Sequence, residues 1–276
     1  MKRITKNTQL CMSLAARPGN FGTLFQNYLY EKLDLDYIYK AFTTTNLGDA
    51  IRGIRALGIR GCAISMPFKE DCIPLLDALD HSANTIQSVN TIVNTDGQLK
   101  GYNTDYIAIE QLLKENKIDK NLRFALRGNG GMAKAVLAAL ANNGYKNGVV
   151  IVRRPEAGKA LATAYGYSYL LESEDFEADL LINATPIGMA GGKEELHLSF
   201  TLGQIEKAQV VFDVVALPIE TPLLKAAKQA SKVTISGADV AVIQSLEQFV
   251  LYTGVRPPLG TIVEARDYTH RAISGM

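Results

Sequence analysis

Leu126-Arg127-Gly128-Asn129-Gly130-Gly131-Met132-Ala133 is the stretch whose reading decides the fold. It sets Gly128, Gly130 and Ala133 in the spacing G-x-G-x-x-A. It follows an apolar run at 124–126 and opens a helical pattern over 132–140. In that setting Gly128 permits a tight turn, Gly130 lets the backbone approach a pyrophosphate, and Ala133 lets helix and strand pack closely. Free N–H groups and the positive end of the helix dipole favour phosphate at the helix start, so Asn129, Gly131 and Met132 belong to the same candidate loop. A purely structural Gly-rich turn can carry the same letters. The sequence of strand, turn, helix and next strand (148–152) is what favours dinucleotide binding.

The end of that next strand selects the dinucleotide. A carboxylate there would accept the ribose 2′-hydroxyl of NAD. This chain has Arg153-Arg154-Pro155, with no acidic residue until Glu156. Two guanidiniums suit a dianionic 2′-phosphate, so NADP is the expected cofactor; a solvated strand end is the alternative. Asn183 and Thr185, in Asn183-Ala184-Thr185-Pro186, follow a further strand, where they could lie beside the nicotinamide ribose; on its own this segment is only a loop signal. Val214 and Gly237 are counted with the same expected cofactor site.

Outward from this motif, strand and helix patterns alternate in both directions, which implies an α/β fold with parallel strands. Strands are expected at 9–15, 37–42 and 62–65, then at 122–126, 148–152, 167–171, 179–182, 210–214 and 233–235. Asn20 is expected to cap a helix burying Leu24, Phe25, Tyr28 and Leu29, and Asn46 one burying Ile51, Ile54 and Leu57. Stretches 89–93 and 99–102, separated by Asn94-Thr95-Asp96-Gly97, read as a hairpin with an Asp-Gly turn. Helices are expected at 106–115, 240–252 and 262–272. The reading is two domains, with a boundary near Thr104: an α/β substrate domain over 1–104 and a Rossmann domain over 105–237.

Composition narrows the function classes. Lys+Arg (29) and Asp+Glu (28) nearly cancel, which argues against a broad nucleic-acid-binding face. No apolar run approaches the ~20 residues that span a bilayer, and the first residues lack the apolar core of a signal peptide. A cytoplasmic protein with a small-molecule substrate is expected; the oligomeric state stays open. Cys11, Cys62 and Cys72 form no C-x-x-C pair, and His81, His197 and His270 are scattered, so neither a metal site nor a disulfide framework is expected.

Two polar segments end apolar runs in the first half: Ser65-Met66-Pro67-Phe68-Lys69 and Gly101-Tyr102-Asn103-Thr104-Asp105. By residue type alone, Lys69 fits a surface lysine and Asp105 a helix N-cap. In order, Pro67-Phe68-Lys69, Val89-Asn90-Thr91, Gly101-Tyr102-Asn103-Thr104-Asp105, Gly128-Asn129-Gly130-Gly131 and Asn183-Ala184-Thr185 resemble shikimate dehydrogenases over nearly the whole chain. The resemblance implies hydride transfer between NADP(H) and shikimate/3-dehydroshikimate. It implies Lys69 as acid/base, Asp105 as its partner, and Ser65, Asn90 and Gln244 as substrate ligands. It also implies that the helices of 238–276 return to the first domain.

The chain departs from that family in the carboxylate site. Where a Ser-x-Ser pair is usual, it has Asn20-Phe21-Gly22-Thr23, so Asn20, Gly22 and Thr23 occupy the corresponding substrate positions. Ala63 and Ala216 stand for an asparagine and a tyrosine, and Arg153-Arg154-Pro155 for Asn-Arg-Thr. Arg17 is a candidate replacement anion ligand or a loop cation. The expectation is weak turnover of shikimate, with quinate or another cyclic hydroxy acid, or non-catalytic NADP(H) binding, as the alternatives.

Overall fold

The computed structural model describes residues 4–274, apart from the side chains of 157 and 274. Among these residues the strands form two six-stranded sheets. The first contains β1 (Gln9–Leu14), β2 (Tyr37–Phe42), β3 (Gly61–Ile64), β4 (Ala78–Leu79), β5 (Thr91–Thr95) and β6 (Gln98–Tyr102), in the order β2-β1-β3-β5-β6-β4. β1 pairs in parallel with both β2 and β3, which requires crossovers; helices Phe21–Lys32 and Leu47–Ala56 supply them. β5 runs antiparallel to both β3 and β6. Its hairpin with β6 closes through Asp96 (φ 51°) and Gly97 (φ 85°), the two left-handed residues of a type I′ turn.

Both faces of this sheet are covered. Met12 and Leu14 pack with Ile51, Ile54, Cys62 and Ile92 on one side, while Cys11 packs with Phe25, Leu29, Phe249 and Tyr252 on the other. That division follows from the two-residue period of a strand. At the outer strand β2, Asn27 accepts from the Tyr39 N–H and donates to the Tyr39 carbonyl, both at 2.9 Å, so one side chain covers that stretch of backbone.

Several local expectations are corrected. Helix Phe21–Lys32 buries Phe25, Gln26, Leu29 and Tyr30, a stripe rotated from the expected one, because Gln26 donates to the Ser245 carbonyl at 2.8 Å. Asn20 takes the N-cap position without a capping bond, whereas Asn46 does cap its helix, accepting from the Asp49 N–H. Leu57 lies just past its helix and is 78% exposed, since the helical period stops at Ala56. β4 and helix His81–Ile86 carry no signal in the sequence: two or six residues are too few to show a period.

The second sheet holds β7 (Phe124–Arg127), β8 (Gly148–Val152), β9 (Ser168–Leu171), β10 (Leu180–Asn183), β11 (Val210–Asp213) and β12 (Val233–Ser236). All pairs are parallel, in the order β12-β11-β10-β7-β8-β9. This is the doubly wound Rossmann order, with its switch point between β7 and β10. The chain divides into two units: one runs to Thr104 and resumes at Val242, and the other is Asp105–Ala241. Helix Gly237–Thr253 thus starts in one unit and ends in the other.

Candidate functional site

In the first unit, topology gathers the polar residues. β1, β3 and β6 share a direction and β5 opposes them, so the ends of the first three and the start of β5 lie on one edge. Ser65 and Lys69 follow β3, Asn90 precedes β5, and Asn20, Gly22 and Thr23 follow β1. The loops interlock: the Ser65 N–H bonds Leu14 O at 3.0 Å, and the Ala16 N–H bonds Met66 O at 3.1 Å. Lys69 is half-buried on the short helix Phe68–Asp71, and its carbonyl accepts from the Val89 N–H at 2.8 Å.

Asn90 is only 2% exposed. Its Oδ1 accepts from the Thr104 N–H and the Thr91 hydroxyl, both at 2.8 Å, and its Nδ2 donates to Thr104 Oγ1 at 3.0 Å. Gln248 closes the group, donating to Thr91 Oγ1 at 3.1 Å. Asn90 therefore fixes Thr104, the first residue of helix Thr104–Glu115, and with it the backbone of Asp105. Beside the substrate contact that the resemblance implies, Asn90 thus has a structural role in this loop. Asp105 is buried in the first helical turn and is not the cap residue. Gln244 is half-buried one turn before Gln248, on the same helix face. Gln248 carried no local signal, because its partners lie far away in the chain.

At the start of the helix after β1, Asn20 and Arg17 are exposed. Thr23 Oγ1 is buried without a hydrogen-bond partner. A Cβ on Gly22 would sit 3.3 Å from Tyr39 Oη, which makes that turn tight.

In the second unit, Gly128 has φ +124°, and a Cβ there would lie 2.7 Å from Ala184 O. The turn after β7 thus packs directly against the loop after β10, at the switch point. Cβ atoms on Gly130 or Gly131 would meet nothing within 4 Å. Gly130 starts helix Gly131–Asn142 without a side-chain cap, leaving the first N–H groups available, and Ala133 is fully buried beneath. Asn129 is exposed and Met132 half-buried. These features fit a pyrophosphate. Gly128→Ala is expected to destabilise the fold by about 2–3 kcal/mol through its left-handed backbone and the clash with Ala184, as read by urea unfolding.

Asn183 and Thr185 shape this loop from inside. Asn183 is fully buried, donates to Ile187 O (3.1 Å) and Asp213 Oδ1 (2.9 Å), and accepts from the Thr185 N–H (3.1 Å) and hydroxyl (2.6 Å). With both amide protons and its oxygen engaged, its side chain positions the loop that carries Thr185. Asp213, absent from the sequence reading, is the centre of this group. It also accepts from the Thr221 hydroxyl at 2.6 Å and the Val215 N–H at 3.1 Å, and burial pushes its carboxyl up to about 6. The Val214 N–H bonds Asn183 O at 3.0 Å. A Cβ on Gly237 would collide with the Val214 and Val215 backbone, so Gly237 allows the helix to start against the end of β11.

The basic strand end is more balanced than the sequence implied. Arg153 pairs with Glu172 Oε1 at 3.4 Å and Glu194 Oε1 at 3.1 Å, and both carboxylates raise its guanidinium above the usual value. Arg127 pairs with the same Glu172 oxygen at 3.3 Å and lies over the Phe200 ring. Burial holds its guanidinium below the usual arginine value. Although no acidic residue precedes Glu156 in the sequence, Glu172, just past β9, and Glu194, in the loop after β10, reach Arg153 in space. Arg154 is exposed and forms no ion pair among the described residues.

Among the described residues no group of three or more His, Cys, Asp or Glu could hold a metal, and no helix is long and apolar enough to cross a membrane.

Residues 22–92 match the model of the shikimate dehydrogenase substrate binding domain. A shikimate dehydrogenase-like protein of Haemophilus influenzae is 55% identical, with 95% of this chain and 97% of that protein covered. A shikimate dehydrogenase (NADP(+)) of Pelodictyon phaeoclathratiforme is 33% identical, with 95% and 98% covered. The shikimate 5-dehydrogenase of Thermus thermophilus, solved in complex with NADP(H) and shikimate, superposes with a TM-score of 0.84 at 26% identity, covering 95% of this chain and 99% of that one.

Proposed function

Since the chain belongs to the shikimate dehydrogenase family, we propose that it is an NADP(H)-dependent oxidoreductase of a cyclic hydroxy acid, with shikimate/3-dehydroshikimate as a slow substrate pair. When bound, NADP(H) supplies or accepts the hydride. Gly128 to Ala133 and the helix start hold the pyrophosphate, Arg153 and Arg154 face the 2′-phosphate, and the loop carrying Thr185 bounds the nicotinamide side together with Val214 and Gly237. Lys69 holds the substrate oxygen; it takes the hydroxyl proton on oxidation and returns it to the developing alkoxide on reduction. Asp105 accepts a substrate hydrogen bond. Ser65 and Gln244 contact the substrate hydroxyls.

The observation that carries this reading is the buried Asn90–Thr104 clamp, whose hydrogen bonds at 2.8 and 3.0 Å fix the backbone leading into Asp105. It lies on the sheet edge that also carries Lys69. Low efficiency follows from the chain around Asn20 to Thr23, where no serine pair receives the substrate carboxylate. Loss of two hydrogen bonds to a charged group, at about 1.5–3 kcal/mol each, lowers kcat/KM by about 10²-fold or more. NADP⁺ reduction at 340 nm with shikimate and with quinate tests this: slow turnover with a high KM is expected, and low-KM shikimate oxidation overturns it.

A further inference from the structure

We infer that Glu172 is a specificity-determining residue for the nicotinamide cofactor: an internal anion that competes with the 2′-phosphate for Arg153 and narrows the preference for NADP(H) over NAD(H). The inference rests on the reading that the end of β8 receives the adenosine ribose.

Glu172 lies far from Arg153 in sequence but beside it in space. Its N–H bonds the carbonyl of Val152, the last residue of β8, at 3.2 Å. Following β9, Glu172 thus brings a carboxylate beside the end of β8, 3.4 Å from the Arg153 guanidinium, although the sequence at that end reads Arg-Arg. One oxygen, Oε1, serves Arg127 at 3.3 Å and Arg153 at 3.4 Å. The two arginines differ in freedom. Arg153 is 61% exposed and can turn toward a ligand. Arg127 is 15% exposed, rests 5.4 Å over the Phe200 ring, and has its Nε buried without a partner. It cannot follow. Glu172 is therefore tethered in place by Arg127 whether or not Arg153 leaves it.

Two consequences oppose each other. A 2′-phosphate that draws Arg153 away meets the charge of a carboxylate that stays behind. An unphosphorylated ribose meets a hydrogen-bond acceptor for its 2′-hydroxyl. Glu194, which holds the opposite side of Arg153 at 3.1 Å, has no such tether and weighs less.

The test is direct binding of NADPH and NADH, with 2′,5′-ADP and 5′-AMP as fragments, to wild-type protein, Glu172→Gln and Glu194→Gln. Glutamine keeps an acceptor for Arg127 and removes the charge. In Glu172→Gln the ratio of NADPH to NADH affinity is expected to rise about five- to tenfold, with the same trend for the fragments. In Glu194→Gln it rises about twofold, which keeps the test open if the first variant does not fold. An unchanged or lower ratio in Glu172→Gln overturns the inference, because Glu172 then only organises Arg153; should that variant not fold, an unchanged ratio in Glu194→Gln does so. Wild-type protein that binds neither nucleotide removes the cofactor reading itself, and the inference with it.

Discussion

Lys69→Ala is expected to lower NADP⁺-linked oxidation of the hydroxy acid by about 10²–10⁴-fold, the range for losing a positioned acid/base. Most of the loss should appear in kcat, because the proton moves only in the transition state, with a smaller rise in KM from the lost hold on the substrate oxygen. NADPH binding should stay within about twofold of wild type, since Lys69 lies in the first unit and the pyrophosphate loop in the second. Lys69→Arg should not restore the rate: a guanidinium keeps its proton in proteins and cannot serve as base. Stopped-flow absorbance with the poor substrate, alongside nucleotide titration, separates these effects. A Lys69→Ala protein that retains activity within about threefold of wild type would place the proton transfer elsewhere.

The second large effect concerns stability. Asp213→Ala leaves three buried donors, on Asn183, Val215 and Thr221, without their acceptor. A destabilisation of about 3–5 kcal/mol is expected by chemical unfolding. Asp213→Asn behaves differently. It keeps the shape, retains Oδ1 as an acceptor and presents an amide to Thr221. The native carboxyl is raised from 3.8 to about 6, so the fold favours its protonated form. The stabilisation from that form is complete below about pH 4 and disappears as pH rises through about 6. Relative to Asp213→Asn, wild type should lose about 2 kcal/mol between pH 4 and pH 7. Paired unfolding curves at several pH values measure this directly, because other carboxylates cancel in the comparison. A constant difference between the two proteins across that range would mean that Asp213 ionises normally in the fold.

What the sequence revealed was what is local. The Gly128–Ala133 turn was legible because strand, turn and helix follow each other directly, and Asp96-Gly97 because both left-handed residues sit side by side. The helix stripe at Gln26 was misread because a polar residue in a buried position breaks the hydrophobic period, and its partner, Ser245, arrives from the far end of the chain. Glu172, Glu194 and Asp213 share that difficulty: each meets its partners through strand order, which parallel crossovers bring together and neighbouring letters do not announce. Lys69 and Asp105 became legible only through family resemblance, since a lysine after a strand and an aspartate at a helix start are ordinary surface features.

The division of the chain at Thr104 and Val242 also bears on the order of synthesis. The unit formed by Asp105–Ala241 is continuous, so a growing chain holds all of its strands before the last helices emerge. The other unit is not. Cys11, Phe25, Leu29 and Tyr30 share their core with Leu246, Phe249, Tyr252 and Ala265. On the ribosome, the half translated first is therefore the half completed last, and its apolar face waits uncovered while the later-made half closes.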